Sequence, residues 1–300
     1  MRPIIFSLFE EHPTYEYLIK NFDFEKGEII IRQFPDGESY IQIKSDVQNR
    51  NIIILNSLDN PNEKILPLIF TANLAKDLGA RTIGICAPYL SYMRQDKVFH
   101  DGEAVTSKYF SKIISENFDW LITVDPHLHR YKKLSEIYSI PAISLHTKDL
   151  ISKWIFNNID NPVLIGPDSE SRQWVKAIAD IHNIPYTVLE KNRRGDYDVS
   201  VSKLNIEKYV DLRPVLVDDI ISTGMTMIET IKNLNSLNMQ EPVCIGVHAV
   251  FADDAYAKLK DEKVSEIITC NSIPHISNKI DLSSILGEEI QRQLINFTNE

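Results

Sequence analysis

The sequence is poor in the residues that build disulfide or zinc scaffolds. It has only three cysteines, Cys86, Cys244 and Cys270, and no two of them have a short paired spacing. Neither a disulfide framework nor a zinc motif is therefore indicated. No apolar run approaches the roughly 18 residues that cross a bilayer. The apolar stretch from Pro3 to Phe9 ends at once in acidic residues and is typical of a buried first strand, not of a secretory signal. We expect no membrane partner and a cytoplasmic protein.

Positive charge is also scarce. The chain has 32 Lys and Arg against 42 Asp and Glu, which gives a net charge of -10. A broad nucleic-acid surface needs a basic face, so no nucleic-acid partner is expected. An acidic protein can still bind phosphates, but it must concentrate cations, backbone amides or metal ions at the site. The G-x-x-x-x-G-K-[ST] and G-x-G-x-x-G motifs are missing too, which excludes the usual glycine loops for nucleotide phosphates.

What the sequence does contain is an alternation of short apolar runs with segments of helical period. In the first half the predicted strands are Asn51 to Leu55, Arg81 to Ala87 and Trp120 to Val124. In the second half they are Val163 to Ile165, Tyr186 to Leu189, Val215 to Val217, Val243 to Val250 and Glu266 to Thr269. Such alternation predicts an α/β protein with parallel sheets covered by helices. Strand counting predicts domains at 1–146 and 147–282 and a C-terminal helix at 283–300, which we expect to pack back on the first domain.

The strongest motif is the string VLVDDIISTGMT at residues 215–226. A buried strand runs into the paired carboxylates Asp218 and Asp219, and then into a hydroxyl-rich turn before a helix. Ligands of open α/β sheets lie at the carboxyl ends of strands. Amides and hydroxyls at a helix N-terminus can hold a phosphate monoester, and paired carboxylates can accept hydrogen bonds from vicinal sugar hydroxyls. An ordinary strand, turn and helix is the structural alternative, but the full string favours a sugar-phosphate site.

This string resembles the ribose-phosphate loop of the type I phosphoribosyltransferase superfamily. Further motifs between Phe34 and Thr226 resemble one of its families, ribose-phosphate diphosphokinase. The resemblance implies two related phosphoribosyltransferase-like α/β domains, with ATP on the first and ribose 5-phosphate on the second. It also implies Mg²⁺ as cofactor and a homo-oligomer built from dimers. The ribose 5-phosphate contacts that it implies are Arg193, Asp218, Asp219, Ser222, Thr223, Gly224, Met225 and Thr226.

Two motifs resemble the ATP side of that family. The first is the FPDGE string at residues 34–38, which taken alone predicts a tight hairpin turn between two strands. The resemblance implies that Phe34 stacks on adenine and that the turn contacts the nucleotide, often in a neighbouring subunit, through Asp36, Gly37 and Glu38. The second is the RQDK string at 94–97, where the resemblance implies Arg94 on the ATP phosphates and Gln95 on the nucleotide. Arginine suits this role because its planar fork matches phosphate oxygens.

The metal site is implied by the strings DPHLH at 125–129 and GPD at 166–168. The resemblance selects His127 and Asp168 as the Mg²⁺ residues, with His129 as a competing histidine. Hard Mg²⁺ prefers oxygen ligands and keeps several waters, so a few protein ligands with ATP phosphates suffice. After Asp168 the chain departs from the family pattern, because Ser169-Glu170-Ser171-Arg172 replaces the usual small, glycine-rich residues.

The string KNRRGD at residues 191–196 resembles the catalytic flexible loop of the family. The resemblance selects Lys191 and Arg193 as the catalytic cations, with Arg194 as a close alternative, whereas an isolated string of this kind is usually a solvated basic turn. Three alternatives to the diphosphokinase stay open: a phosphoribosyltransferase, a catalytically silent relative, and a synthetase for a related sugar phosphate. No residue is indicated as the general base.

Overall fold

A computed structural model gives the fold of residues 1–9, 12–167, 171–189, 191–193, 199–201 and 206–298. The chain divides into two compact units, Met1–Leu145 together with Leu282–Glu300, and His146–Asp281. Each unit is built on a parallel sheet with helices between its strands. The predicted α/β class is therefore confirmed.

The first unit contains a six-stranded parallel sheet in the order β2-β1-β5-β6-β7-β8. A separate antiparallel hairpin consists of β3 and β4. The strands are β1 (Ile4–Phe6), β2 (Glu25–Lys26), β3 (Ile29–Gln33), β4 (Ser39–Ile43), β5 (Asn51–Leu55), β6 (Thr82–Ala87), β7 (Trp120–Val124) and β8 (Ala142–Leu145). The helices between them are α1 (Pro13–Asn21), α2 (Pro61–Asp77) and α3 (Thr106–Asn117), and a 3-10 turn spans Leu134–Glu136.

The second unit contains a six-stranded parallel sheet in the order β10-β9-β13-β14-β15-β16. Its strands, with those of a second antiparallel hairpin, are β9 (Pro162–Gly166), β10 (Tyr186–Val188), β11 (Lys191–Arg193), β12 (Val199–Val201), β13 (Arg213–Ile221), β14 (Val243–Ala249), β15 (Glu266–Cys270) and β16 (Asn278–Ile280). Its helices are α4 (Lys148–Asn158), α5 (Arg172–His182), α6 (Met225–Ser236) and α7 (Ala255–Asp261), and a 3-10 turn spans Glu207–Tyr209.

The two units share one topology. Counted from its own first strand, each sheet has the order 2-1-3-4-5-6, and each hairpin is inserted between the second and third sheet strands. The strand order reverses between β1 and β5 in the first unit, and between β9 and β13 in the second. Such topological switch points open a crevice at the carboxyl ends of the strands, where ligands of open α/β sheets bind.

The C-terminal helix α8 (Ser283–Thr298) belongs to the first unit. It packs on α1 and on the strands β6 and β7. Leu286 and Ile290 are fully buried, and the Ser283 hydroxyl donates a 3.2 Å hydrogen bond to Thr14 Oγ1 on α1. Within the residues that the structure describes, no helix is long and apolar enough to cross a membrane.

Candidate functional site

The first predicted ligand segment is the turn between β3 and β4. The amide of Phe34 donates to the Glu38 carbonyl (2.8 Å), and the amide of Gly37, which has a φ of 92°, donates to the Phe34 carbonyl (2.9 Å). The Asp36 carboxylate accepts a hydrogen bond of 3.2 Å from the Glu38 amide. The predicted hairpin turn is therefore present. Glycine at 37 suits the left-handed backbone that the turn needs.

The ring of Phe34 is 40% exposed and stands in contact with its own hairpin. The Arg32 guanidinium lies 4.8 Å from the Phe34 ring centroid and 4.2 Å from that of Tyr40. The Phe34 and Tyr40 rings are 6.0 Å apart and perpendicular. A cation held over two aromatic faces is favourable, so Arg32 helps to order the exposed ring.

The second segment follows β6 and carries Arg94, which is exposed, and Gln95, which is half-buried. The Gln95 carbonyl accepts from the Ser107 amide (3.3 Å), and its side chain accepts from the Thr106 hydroxyl (3.4 Å) at the start of α3. The Asp96 side chain is only 5% exposed and lies 3.8 Å from the Arg130 guanidinium. These contacts fasten the segment at Gln95 and at Asp96.

The third segment follows β7, the neighbour of β6 in the sheet. It begins at Asp125, which is 9% exposed, has a φ of 33°, and donates its amide to the Leu145 carbonyl (2.9 Å). His127 is half-buried, His129 is exposed, and their rings meet edge to face at 4.0 Å. Among the residues with described positions, no three His, Cys, Asp or Glu side chains are close enough to hold a metal ion.

The fourth segment lies at the switch point of the second unit, where β9 ends at Gly166 beside β13. The Leu189 amide donates to the Gly166 carbonyl (2.9 Å), which extends the pairing of β9 with β10 by one residue beyond Val188. Asp168, the predicted metal residue, lies outside the described residues. Its placement as a ligand therefore stays a prediction.

The paired carboxylates lie inside β13, which is longer than the predicted strand. Asp218 pairs with Gly246 in β14, and the pairing continues to Ile221. Both carboxylates are half-buried; Asp218 accepts from the Asp219 amide (3.0 Å) and Asp219 accepts from the Ile220 amide (2.8 Å). Each carboxylate is thus held next to its own backbone, at the carboxyl end of a central strand.

The turn after β13 leads directly into α6. Gly224 is the N-cap residue with a φ of 70°, and its carbonyl accepts the first helical hydrogen bond, from the Ile228 amide (2.9 Å). No side chain of the described residues caps α6 through a hydrogen bond. Thr223 and Met225 are exposed, and Ser222 and Thr226 are half-buried. The first amides of the helix therefore combine with hydroxyls in an arrangement suited to an anion.

The predicted catalytic cations Lys191 and Arg193 lie on β11, whose backbone pairs with β12 from Lys191–Val201 to Arg193–Val199. The structure therefore places both residues on one arm of a hairpin. Arg194 lies outside the described residues. The role of these cations stays a prediction.

Sequence reasoning missed two groups of residues near these segments. Asp96 and Arg130 join the segment after β6 to the segment after β7, and the Tyr131 hydroxyl adds a bond to the Asp96 carbonyl (3.4 Å). In the second unit, Phe251 lies beside the turn, since its amide donates to the Ile221 carbonyl (2.8 Å). Asp96 stands within the RQDK string and could have been singled out, but its partner carries no local signal.

An aromatic cluster surrounds Phe251. Its ring centroid is 5.2 Å from that of Tyr256 and 4.6 Å from that of His275. Partial burial lowers the pKa of His275, so its ring is neutral near pH 7. The His275 Nδ1 atom is hydrogen-bonded to Ser277 Oγ at 2.7 Å. The cluster is therefore held by ring packing and by this hydrogen bond.

Matches to family models and to a solved structure define the class of protein to which the chain belongs. The family model described as "N-terminal domain of ribose phosphate pyrophosphokinase" matches residues 4–117, and the family model described as "Phosphoribosyl transferase domain" matches residues 133–284. A crystal structure of phosphoribosylpyrophosphate synthetase from Mycobacterium smegmatis superposes with a TM-score of 0.86 over 98% of this chain and 100% of that one. At 19% identity this likeness shows the fold alone. The class is that of two-unit phosphoribosyltransferase-fold proteins.

Relatives at higher identity define the family. A ribose-phosphate pyrophosphokinase of Sulfolobus acidocaldarius is 31% identical over 268 residues, which cover 87% of this chain and 89% of the relative. One from Sulfurisphaera tokodaii is 32% identical over 267 residues, or 86% and 89% of the two chains. The chain belongs to the ribose phosphate pyrophosphokinase family, and the predicted family is confirmed.

Proposed function

We propose that the chain transfers the β,γ-diphosphate of ATP to the anomeric hydroxyl of ribose 5-phosphate, giving 5-phosphoribosyl 1-diphosphate and AMP. The observation that carries the proposal is the switch point of the second unit. There β13 holds Asp218 and Asp219, and it runs into the start of α6, whose N-cap is Gly224 and which no side chain of the described residues caps. The names of the relatives, ribose-phosphate pyrophosphokinase, support the same reaction.

The second unit is the proposed ribose 5-phosphate side. The 5-phosphate would accept hydrogen bonds from the amides and hydroxyls of residues 222–226, because the dipole of α6 favours an anion at this end. Asp218 and Asp219 would accept hydrogen bonds from the ribose hydroxyls. Their half-buried position supports this role, since a carboxylate removed from bulk water makes stronger charge-assisted bonds.

The first unit is the proposed ATP side. The exposed ring of Phe34 offers a face to adenine, and Asp36, Gly37 and Glu38 form the rim of the same turn. Arg94 would pair with the phosphates and Gln95 with the nucleotide. The contacts that hold Gln95 to the start of α3 support a preformed segment rather than one ordered by the ligand.

The proposed cofactor is Mg²⁺, with His127 and Asp168 as its residues. A diphosphotransferase family is consistent with a metal cofactor, and a donor set of one imidazole and one carboxylate fits an ion that keeps waters and phosphate oxygens in its shell. When bound, the ion would neutralise negative charge on the ATP phosphates. His129 remains the competing histidine because it belongs to the same DPHLH string, and its ring contacts that of His127.

The transfer itself would be an in-line displacement at the β-phosphorus. A bond forms between the anomeric oxygen and the β-phosphorus, while the bond from that phosphorus to the oxygen bridging to the α-phosphorus breaks. AMP leaves with the bridging oxygen, and the proton of the anomeric hydroxyl passes to solvent. Lys191 and Arg193 would stabilise the charge that develops on the bridging oxygen, which is the kind of fixed electrostatic help that enzymes rely on.

The protein is also proposed to be a homo-oligomer built from dimers. Large apolar side chains are exposed on two neighbouring helices of the first unit: Leu66 and Phe70 on α2, and Tyr109 and Ile113 on α3. The two helices are joined by a 2.7 Å hydrogen bond between Asn73 and Asn117. Exposed apolar side chains on adjacent helices support burial against another copy.

A product assay tests the proposed function. The chain is incubated with ATP, Mg²⁺ and ribose 5-phosphate, and the nucleotide products are separated. Formation of AMP that depends on ribose 5-phosphate supports the diphosphokinase. ADP would indicate an ordinary kinase, and absence of turnover would indicate a silent relative or a phosphoribosyltransferase.

A further inference from the structure

The segment after β14 forms a support behind the turn at residues 222–226. The Phe251 amide donates to the Ile221 carbonyl (2.8 Å), and the Ala252 amide donates to the Ser222 carbonyl (3.1 Å). Two consecutive amides thus fix the two residues that enter the turn. Since β13 and β14 are paired up to Ala249, these bonds continue the ladder beyond the end of the sheet.

Phe251 makes these bonds from an unfavourable backbone conformation. Its φ is 35°, in the left-handed region that a bulky residue rarely adopts. Such a conformation persists only where the surroundings over-determine it. Here the ring of Phe251 is held by Tyr256 and His275, whose own ring centroids are 4.7 Å apart. Packing of the ring therefore stabilises the strained backbone.

The helix α7, which follows this segment, contacts the turn at Gly224. A Cβ atom at Gly224 would lie 2.9 Å from Leu259 Cδ1 and 3.8 Å from the Ala255 carbonyl oxygen. Leu259 is fully buried on α7. The turn thus lies between the backbone of residues 251–252 and the side of α7. A side chain at 224 would crowd Leu259 and would have to adopt the left-handed backbone that favours glycine.

We propose that Phe251 is a positioning residue for the phosphate end of ribose 5-phosphate. Its ring, clamped by Tyr256 and His275, holds a strained backbone whose amide fixes the turn in the shape that receives the phosphate. The proposal rests on the proposed function of the turn and extends it to residues that do not contact the substrate. It predicts that loss of the ring impairs the use of ribose 5-phosphate selectively.

The test compares Phe251→Ala with Phe251→Gly. In the alanine variant the strain stays while its support is lost, so the turn relaxes and the KM for ribose 5-phosphate rises about tenfold or more, because small misplacements are costly. Glycine adopts a φ of 35° without a Cβ penalty, so Phe251→Gly should be clearly less impaired. The KM for ATP should change less than about twofold, because the proposed ATP contacts lie on the first unit. A tenfold rise in a KM corresponds to about 1.4 kcal/mol of lost binding.

A side chain that only fills space would give the opposite order, because glycine removes more than alanine does. The proposal is overturned if Phe251→Gly is as impaired as Phe251→Ala, or if the two KM values rise together. Tyr256→Phe keeps the ring and should resemble the unchanged protein, whereas Tyr256→Leu should shift the KM for ribose 5-phosphate in the same direction as Phe251→Ala. The tyrosine pair decides the matter if Phe251→Ala does not fold.

Calorimetric binding of ribose 5-phosphate separates this proposal from the proposed function. If the unchanged protein binds ribose 5-phosphate but shows no diphosphate transfer, the proposed reaction fails. Weaker binding in Phe251→Ala and retained binding in Phe251→Gly would then still support the positioning role. Equal binding by all variants would overturn the positioning role even in an active enzyme.

Discussion

The Arg130 guanidinium lies 3.8 Å from the Asp96 carboxylate, and this contact joins the segments that follow β6 and β7. Asp96 is almost completely buried, whereas Arg130 is partly exposed. Removing the partner of a buried carboxylate leaves an uncompensated charge and is strongly destabilising. We therefore expect the pair to stay formed. It couples the segment that carries Arg94 and Gln95 to the segment that carries His127.

We expect Asp96→Asn to raise the KM for ATP by about tenfold or more, because misplacement of a phosphate-binding segment by an ångström is costly. The KM for ribose 5-phosphate should change little. Steady-state kinetics with each substrate varied in turn measures both values. The matched control is Glu116→Gln, which removes an exposed ion pair with Lys112 on α3 and should leave both values unchanged. Equal effects on the two substrates would contradict the role of the pair.

Phe34→Ala should weaken ATP binding by about 1 to 3 kcal/mol, the range for loss of an aromatic stack on a base. The reason is that its exposed ring offers a face to adenine, held in place by Arg32. Isothermal titration with a non-hydrolysable ATP analogue measures the change. Phe156→Ala, which removes an exposed ring stacked on His182 in the other unit, is the control. A loss of thermal stability with unchanged affinity would reduce the turn to a structural hairpin.

The sequence predicted the central strands well and the edges poorly. The bounds of β5 and β7 were predicted to the residue, because long apolar runs leave no other interpretation. The strand β13 was predicted to end at Val217, since the carboxylates interrupt its apolar pattern, yet pairing with β14 extends it to Ile221. The edge strands β2, β8 and β16 were missed, because two to four residues at a sheet edge carry little periodicity, whereas the edge strand β10 was predicted.

The candidate site also has parts that the sequence could predict and parts that it could not. Motifs that are local in sequence, such as residues 215–226, could be found because strand, turn and helix follow one another. The pair of Asp96 and Arg130 could not, because it depends on two segments that only the neighbouring strands β6 and β7 bring together. The clamp on Phe251 also depends on His275, which follows a different strand.

Asp219→Asn should raise the KM for ribose 5-phosphate by about an order of magnitude or more, with the fold intact. The change keeps the shape of the side chain but removes the charge that would accept bonds from the ribose hydroxyls, and charged hydrogen bonds are the stronger ones. Asp211→Asn is the control, because this exposed carboxylate lies two residues before β13 begins, beyond the opposite end of the strand. Unchanged kinetics with ribose 5-phosphate would remove Asp219 from the site.

Lys191→Ala and Arg193→Ala should each lower kcat by about 10²- to 10³-fold while ATP binds with nearly unchanged affinity. This is expected for cations that act only on the developing charge. The double variant should lose less than the product of the single effects, since both cations serve one charge. Rapid-quench kinetics with separate binding measurements gives both quantities.

Arg194→Ala is the internal control for that loop, with an expected change of less than about tenfold. An inactive Arg194→Ala beside an active Arg193→Ala would shift the catalytic position by one residue. Full activity in all three variants would reduce the string KNRRGD to a solvated turn and would remove the proposed source of charge stabilisation.

The chemical form of the sugar product tests the central claim most directly. Phosphorus-31 NMR of a reaction with ATP, Mg²⁺ and ribose 5-phosphate follows every phosphorus atom at once. We predict that AMP and a diphosphate ester on the anomeric oxygen appear in equal amounts, and that the Lys191→Ala variant slows both signals alike. Formation of ADP with a single phosphate on the sugar would contradict the account.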